Sequence, residues 1–351
     1  MIIKKNYIIL AIDTSCDETA VAVVKNNRVL SNIVASQVSF HQEYGGVYPS
    51  LAKRLHSQWL KPVIEKAFKT AGLKIEQIDA IAVTIGPGLA PALEIGIKEA
   101  KEIAKKHKKP LIGVNHMEAH LLSAFARNSK NKGSFSSTKS RFPILGLLVS
   151  GGHTQLVLMN GFGKYRLLGE TLDDAAGEAF DKVARMLNLG YPGGPIVSEL
   201  AKKGKPKYEL PITMIRSGDL NFSFAGLKTA CLYKLKEIKA KRDKKFYQDF
   251  SASFEQAVVG ALMIKFKKAI GAHKPRQIVL GGGVINNLPL RQAARKIAQS
   301  FGLKVFIPYS AKLFTDNAAM VGVCAYYQAK RGDFAKKIDK LDRQPNLNFK
   351  P

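Results

Sequence analysis

Residues Ile9 to Val24 read ILAIDTSCDETAVAVV, and residues Ile144 to Met159 read ILGLLVSGGHTQLVLM; the two align without a gap, Ser15 on Ser150 and Thr19 on Thr154. Each copy passes from an apolar strand through a turn of small and polar residues into a second β-rich strand. Each therefore predicts a hairpin with an S-x-x-x-T tip, and the pair predicts a duplicated architecture.

Working outward, LHSQWLKPVIEKAFKTAG has helical spacing and stops at Gly72. IDAIAVTIGPG reads as a buried strand, LEIGIKEAKEIAKKH as a helix, PLIGV as a strand and HMEAHLLSAFA as a helix. The second half carries a helix in AGEAFDKVARMLNL, the turn GYPGGP, a long helix through Phe246 to Ala272 and the strand QIVLGGGV running into glycines. The last helix is DNAAMVGVCAYYQAKRG, followed by a basic tail. Strands alternating with helices give an α/β class. Between the two copies, RNSKNKGSFSSTKSR has no hydrophobic period and predicts a mobile basic loop. The expected division is a first lobe over 1–126, completed by the C-terminal helix near 316–335, a flexible basic linker over 127–142 and a second lobe over 143–315.

The 351 residues, 46% hydrophobic, suffice for two medium lobes with a core each. Lys+Arg number 55 against 27 Asp+Glu, a net charge of +28. So large an excess suits a polyanion such as nucleic acid, or equally a set of solvated helix faces such as Lys101 to Lys109. The basic residues are spread along the chain, which argues against a membrane surface. Asp13 interrupts the N-terminal apolar run before it reaches signal-peptide length, and a cytoplasmic location is expected. Cys16, Cys231 and Cys324 are odd in number and far apart, which fits a reducing compartment and excludes a zinc ribbon.

His116 and His120 are four apart in HMEAH, so a helix puts both imidazoles on one face, able to grip one ion. The alternative is a pair of surface or capping histidines. A protease of the H-E-x-x-H type needs Glu beside the first His, and here Met117 holds that place while Glu118 is displaced by one residue. A third ligand must come from elsewhere; Asp316, in FTDNAAM, is the candidate, with a helix N-cap as its competing role. The turns DTSCDET, VSGGHT and LGGGVINN offer bare backbone N–H groups to an anion, yet none matches a Walker or Rossmann fingerprint.

With these residues in view, the chain resembles the tRNA threonylcarbamoyladenosine transferase family, once misnamed O-sialoglycoprotein endopeptidase. The likeness covers nearly the whole length through GGVYPSLAKRLH, GPGL, GVNHMEAH, LLVSGGHTQLV, LDDAAGEAFDKVARMLNLGYPGGP, FSFAGLKT, LGGGVINN and TDNAAM. The resemblance implies a two-lobed actin-like ATPase fold, shared with sugar kinases, with a duplicated βββαβα core. It implies one divalent iron or zinc ion held by His116, His120 and Asp316. It implies ATP, ADP or threonylcarbamoyl-adenylate contacts at Leu148, Val149, Ser150, Gly151, Gly152, Asp181, Gly194 and Asn287. His153 is either a general base or a structural hairpin histidine.

Three positions depart from the family pattern. Ser198 stands where an acidic residue contacts the ribose, Ser50 replaces the Glu of V-x-P-E, and Glu94 lies in a usually apolar place. The implied reaction moves a threonylcarbamoyl group from its adenylate to N6 of the adenosine after the anticodon, releasing AMP, in tRNAs that read codons beginning with A. The implied partners are tRNA, a metal-free paralogue, a small P-loop ATPase and an upstream adenylate-forming enzyme, in a bacterial-type system. Competing readings are a metalloprotease, a sugar-kinase-like phosphotransferase and a non-catalytic tRNA-binding subunit.

Overall fold

The computed structural model describes residues 4, 6–130, 132, 140–238 and 242–349; half of the linker expected over 127–142 lies outside them. Two compact units emerge. The first comprises Met1–Ser140, Gly161–Tyr165 and Phe306–Pro351, the second Arg141–Asn160 and Arg166–Val305.

Unit 1 begins with β1 (Ile8–Asp13), β2 (Glu18–Lys25) and β3 (Arg28–Ser36). Next come α1 (Val38–His41), α2 (Pro49–Ala71), β4 (Ala80–Gly86), α3 (Ala90–Lys106), β5 (Leu111–Asn115) and α4 (His116–Leu122). The sheet runs β3-β2-β1-β4-β5, with β1 antiparallel to β2 and parallel to β4. Because both faces are covered, β1, β2 and β4 are almost wholly buried and read as continuous apolar runs rather than alternating ones. Leu10, Ile12, Val21 and Val23 pack with Leu60, Val63 and Ile64 of α2 and with Leu93 and Ile97 of α3. Gly72, at φ 65°, ends α2 and returns its N–H to Lys69 and Phe68.

Unit 2 repeats the plan. The strands are β6 (Ile144–Val149), β7 (Thr154–Gly161) and β8 (Lys164–Glu170), then α5 (Ala176–Met186), α6 (Gly193–Ala201), α7 (Ala225–Glu237) and α8 (Lys244–His273). It closes with β9 (Gln277–Gly281), α9 (Leu288–Ser300) and β10 (Val305–Phe306). The order β8-β7-β6-β9-β10 is that of the first sheet, strand for strand, which is the duplication the two hairpins announced. At Gly177 an added Cβ would lie 2.5 Å from the Ser150 carbonyl oxygen, so only glycine lets α5 begin this close to the β6–β7 tip.

The last helix, α10 (Ala318–Arg331), belongs to unit 1 and packs on its sheet, with Gly322 against Val24. The stretch beyond it is a fitted strap. Gln344 N–H donates to Ile85 O at 2.7 Å, Gly88 N–H to Pro345 O at 3.0 Å and Asn115 Nδ2 to Asn348 O at 3.1 Å. Ile338, Leu341 and Leu347 pack on the α2–α3 core. Partial burial of three such side chains contributes about 3 kcal/mol. Deletion of residues 333–351 is therefore expected to lower the melting temperature by about 5–10 °C in a thermal scan. A melting temperature within about 1 °C of the full chain would show that the strap carries no packing energy.

Candidate metal centre and adenylate cradle

The first site is built on α4. Asn115 caps this helix by accepting from Met117 N–H at 2.8 Å and Glu118 N–H at 3.1 Å, which fixes the first turn and aims His116 and His120 together. Their rings meet edge to face, with centroids 4.6 Å apart. Asp316, just before α10, reaches the same point: its Oδ1 lies 3.1 Å from His120 Nε2 and 3.4 Å from His116 Nε2. The competing N-cap role falls to the neighbouring residue, since Asn317 accepts from Met320 N–H at 3.1 Å.

One donor atom from each of His116, His120 and Asp316 lies within 4.8 Å of the other two. Ligand atoms at about 2.1 Å from a tetrahedral cation sit roughly 3.4 Å apart, close to the spacing seen around Asp316 Oδ1. Asp13 stands behind them, buried at the end of β1, its Oδ2 3.7 Å from His116 Nδ1. Among the described residues Asp13 Oδ2, His116 Nδ1 and His120 Nδ1 have no hydrogen-bond partner. A donor set of two buried imidazoles and a half-buried carboxylate, with orphaned polar atoms around it, suits a divalent cation of borderline hardness. Burial works against the charged form of His116, but Asp316 and Asp13 outweigh it and raise its pKa to about 9. His120, equally enclosed, is lowered by burial. Burial also opposes ionisation of Asp316, yet the His116 charge holds it well below the carboxylate range.

Glu118 takes no part in this cluster. Its Oε1 accepts from the Tyr165 hydroxyl at 2.8 Å and faces Arg331 at 3.9 Å. The base a metalloprotease would need is thus committed elsewhere. Burial, followed by the Asp17 and Asp316 carboxylates, pushes the Cys16 thiol well above its ordinary value, so it is no thiolate nucleophile.

A one-way chain of hydrogen bonds supports the tip between β1 and β2, and sequence reasoning missed it. Tyr48 N–H donates to His41 Nδ1 at 3.3 Å, and His41 Nε2 to Gln37 Oε1 at 3.2 Å. Gln37 Nε2 then donates to Thr19 Oγ1 at 3.5 Å, the Thr19 hydroxyl to His56 Nδ1 at 2.7 Å, and His56 Nε2 to the Cys16 carbonyl at 3.0 Å. Each imidazole must be neutral, and burial lowers the pKa of both from 6.5. A histidine depressed in the fold stabilises above its unfolded pKa, and that stability is lost as pH falls from about 6.5.

The second site lies in unit 2. Gly151 and Gly152 at the β6–β7 tip are exposed, with open space where a Cβ would stand, while Ser150 N–H donates to His153 O at 2.8 Å and His153 N–H to Ser150 Oγ at 3.1 Å. Leu148 and Val149 are buried in β6, which leaves only their backbone to meet a ligand. Asp181 Oδ1 accepts from Gly193 N–H at 2.7 Å and Gly194 N–H at 3.2 Å, so it shapes the start of α6. Asn287 caps α9 through Leu290 N–H at 2.8 Å and donates from Nδ2 to Ser198 Oγ at 3.0 Å. Of the departures, Glu94 is answered locally by Lys53 at 3.2 Å and Arg343 at 3.1 Å.

Comparison with known proteins decides the family. Residues 28–323 match the family model described as TsaD, tRNA N6-adenosine threonylcarbamoyltransferase. The chain belongs to that family. A tRNA N6-adenosine threonylcarbamoyltransferase of Thermodesulfovibrio yellowstonii is 45% identical over 332 residues, 93% of this chain and 96% of that one. One of Bacillus thuringiensis is 43% identical over 353 residues, 99% and 98% of the two chains. Among solved structures, Thermus thermophilus ROK hexokinase superposes with TM-score 0.50 at 18% identity, covering 93% of this chain and 100% of that one. T. kodakarensis HypF does so with TM-score 0.61 at 17% identity, covering 95% and 49%. These neighbours place the chain in the actin-like, sugar-kinase fold. Among the described residues no helix is long and apolar enough to cross a membrane.

For the transferase family the His116, His120 and Asp316 cluster gives a direct test. Replacing any one of the three with Ala is expected to drop bound metal, measured by elemental analysis, from about one ion per chain to a small fraction. Full occupancy in all three variants would refute the ligand set. Separately, melting temperature is expected to fall between pH 7.5 and pH 5.5, and His56→Gln to flatten that fall; an unchanged slope would contradict the neutral-histidine chain.

Proposed function

We propose that the chain transfers a threonylcarbamoyl group from threonylcarbamoyl-adenylate to N6 of the adenosine that follows the anticodon, in tRNAs reading codons that begin with A. The observation carrying this reading is the convergence of His116, His120 and Asp316 in a chain of the transferase family. Those three residues would hold one iron or zinc ion. Bound there, a divalent cation supplies Lewis-acid polarisation of a carbonyl oxygen.

The adenylate half falls to unit 2: the bare backbone of Ser150, Gly151 and Gly152 suits phosphate oxygens, and Gly194 and Asn287, set by Asp181 and the α9 cap, suit the nucleoside. The amine attacks the carbamoyl carbon, the C–N bond forms, the C–O bond to phosphate breaks, and AMP leaves with the electron pair. The amine gives up one proton, and His153 at the β6–β7 tip is its candidate acceptor. An exocyclic adenine amine is a weak nucleophile, so positioning carries most of the acceleration. No side-chain nucleophile is needed, in keeping with the suppressed Cys16 thiol.

The charge of +28 has its use in the tRNA phosphates. Each neutralised phosphate steepens the fall of log affinity with log salt by roughly 0.7–0.9. The partners in this reading are a metal-free paralogue, a small P-loop ATPase and an upstream enzyme that makes the adenylate, all in the cytoplasm.

Incorporation of labelled threonine into tRNA, with the adenylate-forming enzyme and accessory subunits supplied, tests the proposal. Incorporation is expected with the native chain, is expected to vanish with Asp316→Ala and to slow with His153→Ala at unchanged tRNA affinity. Affinity for tRNA should fall steeply with salt. No incorporation by the native chain in the complete mixture, or a flat salt response, would overturn the reading.

A further inference from the structure

Ser198, on α6, stands where the family resemblance puts an acidic ribose contact, and its hydroxyl is one carboxylate short of that task. A carboxylate nevertheless occupies the spot. Glu255, on α8, accepts from Asn287 Nδ2 through its Oε1, and the Ser198 hydroxyl is a second hydrogen-bond partner. Asn287 Nδ2 in turn donates to Ser198 Oγ at 3.0 Å. Three side chains from α6, α8 and the start of α9 thus meet at one point.

Glu255 is 6% exposed, and among the described residues no lysine or arginine pairs with it at salt-bridge distance. Burial raises the Glu255 pKa, and only the hydrogen bonds of Asn287 and Ser198 and the more distant Lys202 charge act the other way. Holding Asn287 in place does not call for that cost. Asn287 is already oriented by Leu290 N–H, and an amide at position 255 would accept the same bond without a charge to desolvate.

We propose that Glu255 supplies the carboxylate that reads the ribose hydroxyls of the adenylate, the acid having been moved from α6 to α8; this rests on the reading that Gly194 and Asn287 hold the nucleoside. The chemistry is direct. An ionised carboxylate is acceptor-only with about four lone-pair sites, so it accepts from Asn287, from Ser198 and from a ribose O–H together. A ribose hydroxyl donating to a charged acceptor is strongly favoured over its absence, because its loss leaves the carboxylate without that donor.

Calorimetric titration of the full-length protein with AMP and with 2′-deoxy-AMP and 3′-deoxy-AMP tests this. The native chain is expected to prefer AMP over at least one deoxy analogue by about tenfold or more. Glu255→Gln, isosteric and so expected to fold, should bind AMP and that analogue alike. In Glu255→Ala, adding Ser198→Asp should restore the preference. Discrimination unchanged in Glu255→Gln would overturn the proposal while leaving the adenylate site intact. An equal loss of affinity for all three nucleotides would do the same and make Glu255 a positioning residue for Asn287. A native chain that binds none of the three would overturn the adenylate reading itself, and this proposal with it.

Discussion

A half-buried carboxylate with two buried imidazoles against it is the constraint on which unit 1 turns. Burial opposes ionisation of Asp316, and the His116 and His120 imidazoles against it hold its carboxyl well below the usual carboxylate range. Such a cluster costs several kcal/mol in desolvation, and the surroundings are organised to hold it. The Asn115 cap fixes α4, the Asn317 cap starts α10 directly after Asp316, and the strap of residues 344–348 is bonded to Ile85 and Asn115. Asp13 at the end of β1 adds a further buried charge facing His116.

Duplication explains why two candidate sites of different character occur in one chain. The two sheets share one strand order, and each presents a hairpin tip between its first two strands. In the first tip the loop carries Asp13, Cys16, Asp17 and Glu18, in the second Leu148, Gly151, Gly152 and His153 at the aligned places. One tip has become acidic and largely buried beside a set of side chains able to hold a cation; the other has been stripped to bare backbone suited to an anion. The same backbone plan has diverged through a handful of side chains.

Much of this was legible beforehand because it is written in local pattern. The hairpins, the C-terminal stop of α2 at Gly72 and the helices α3, α5, α8 and α10 follow from period and punctuation. The spacing of His116 and His120 named the pair, and Asp316, nearly two hundred residues on, was already a candidate third ligand, with a helix N-cap as its competing role. What stayed hidden depends on tertiary approach. The strap carries no periodicity and reads as a basic tail. His41 and His56, scattered polar residues in an unremarkable stretch, become a relay only when α1 and α2 fold over the tip. Asp13 left one usable signal, an acid at the end of an apolar strand whose twin has Leu148. Glu255 left none beyond an acid on a buried helix face, and only its bond to Asn287 marks it.

The most direct measurement of the central claim is X-ray absorption spectroscopy on the metal-loaded native protein. A nitrogen and oxygen shell at about 2.0–2.2 Å is expected, with outer-shell scattering from two imidazoles, one of which is lost in His120→Ala. A sulfur ligand at about 2.3 Å, or a shell without imidazole, would contradict it.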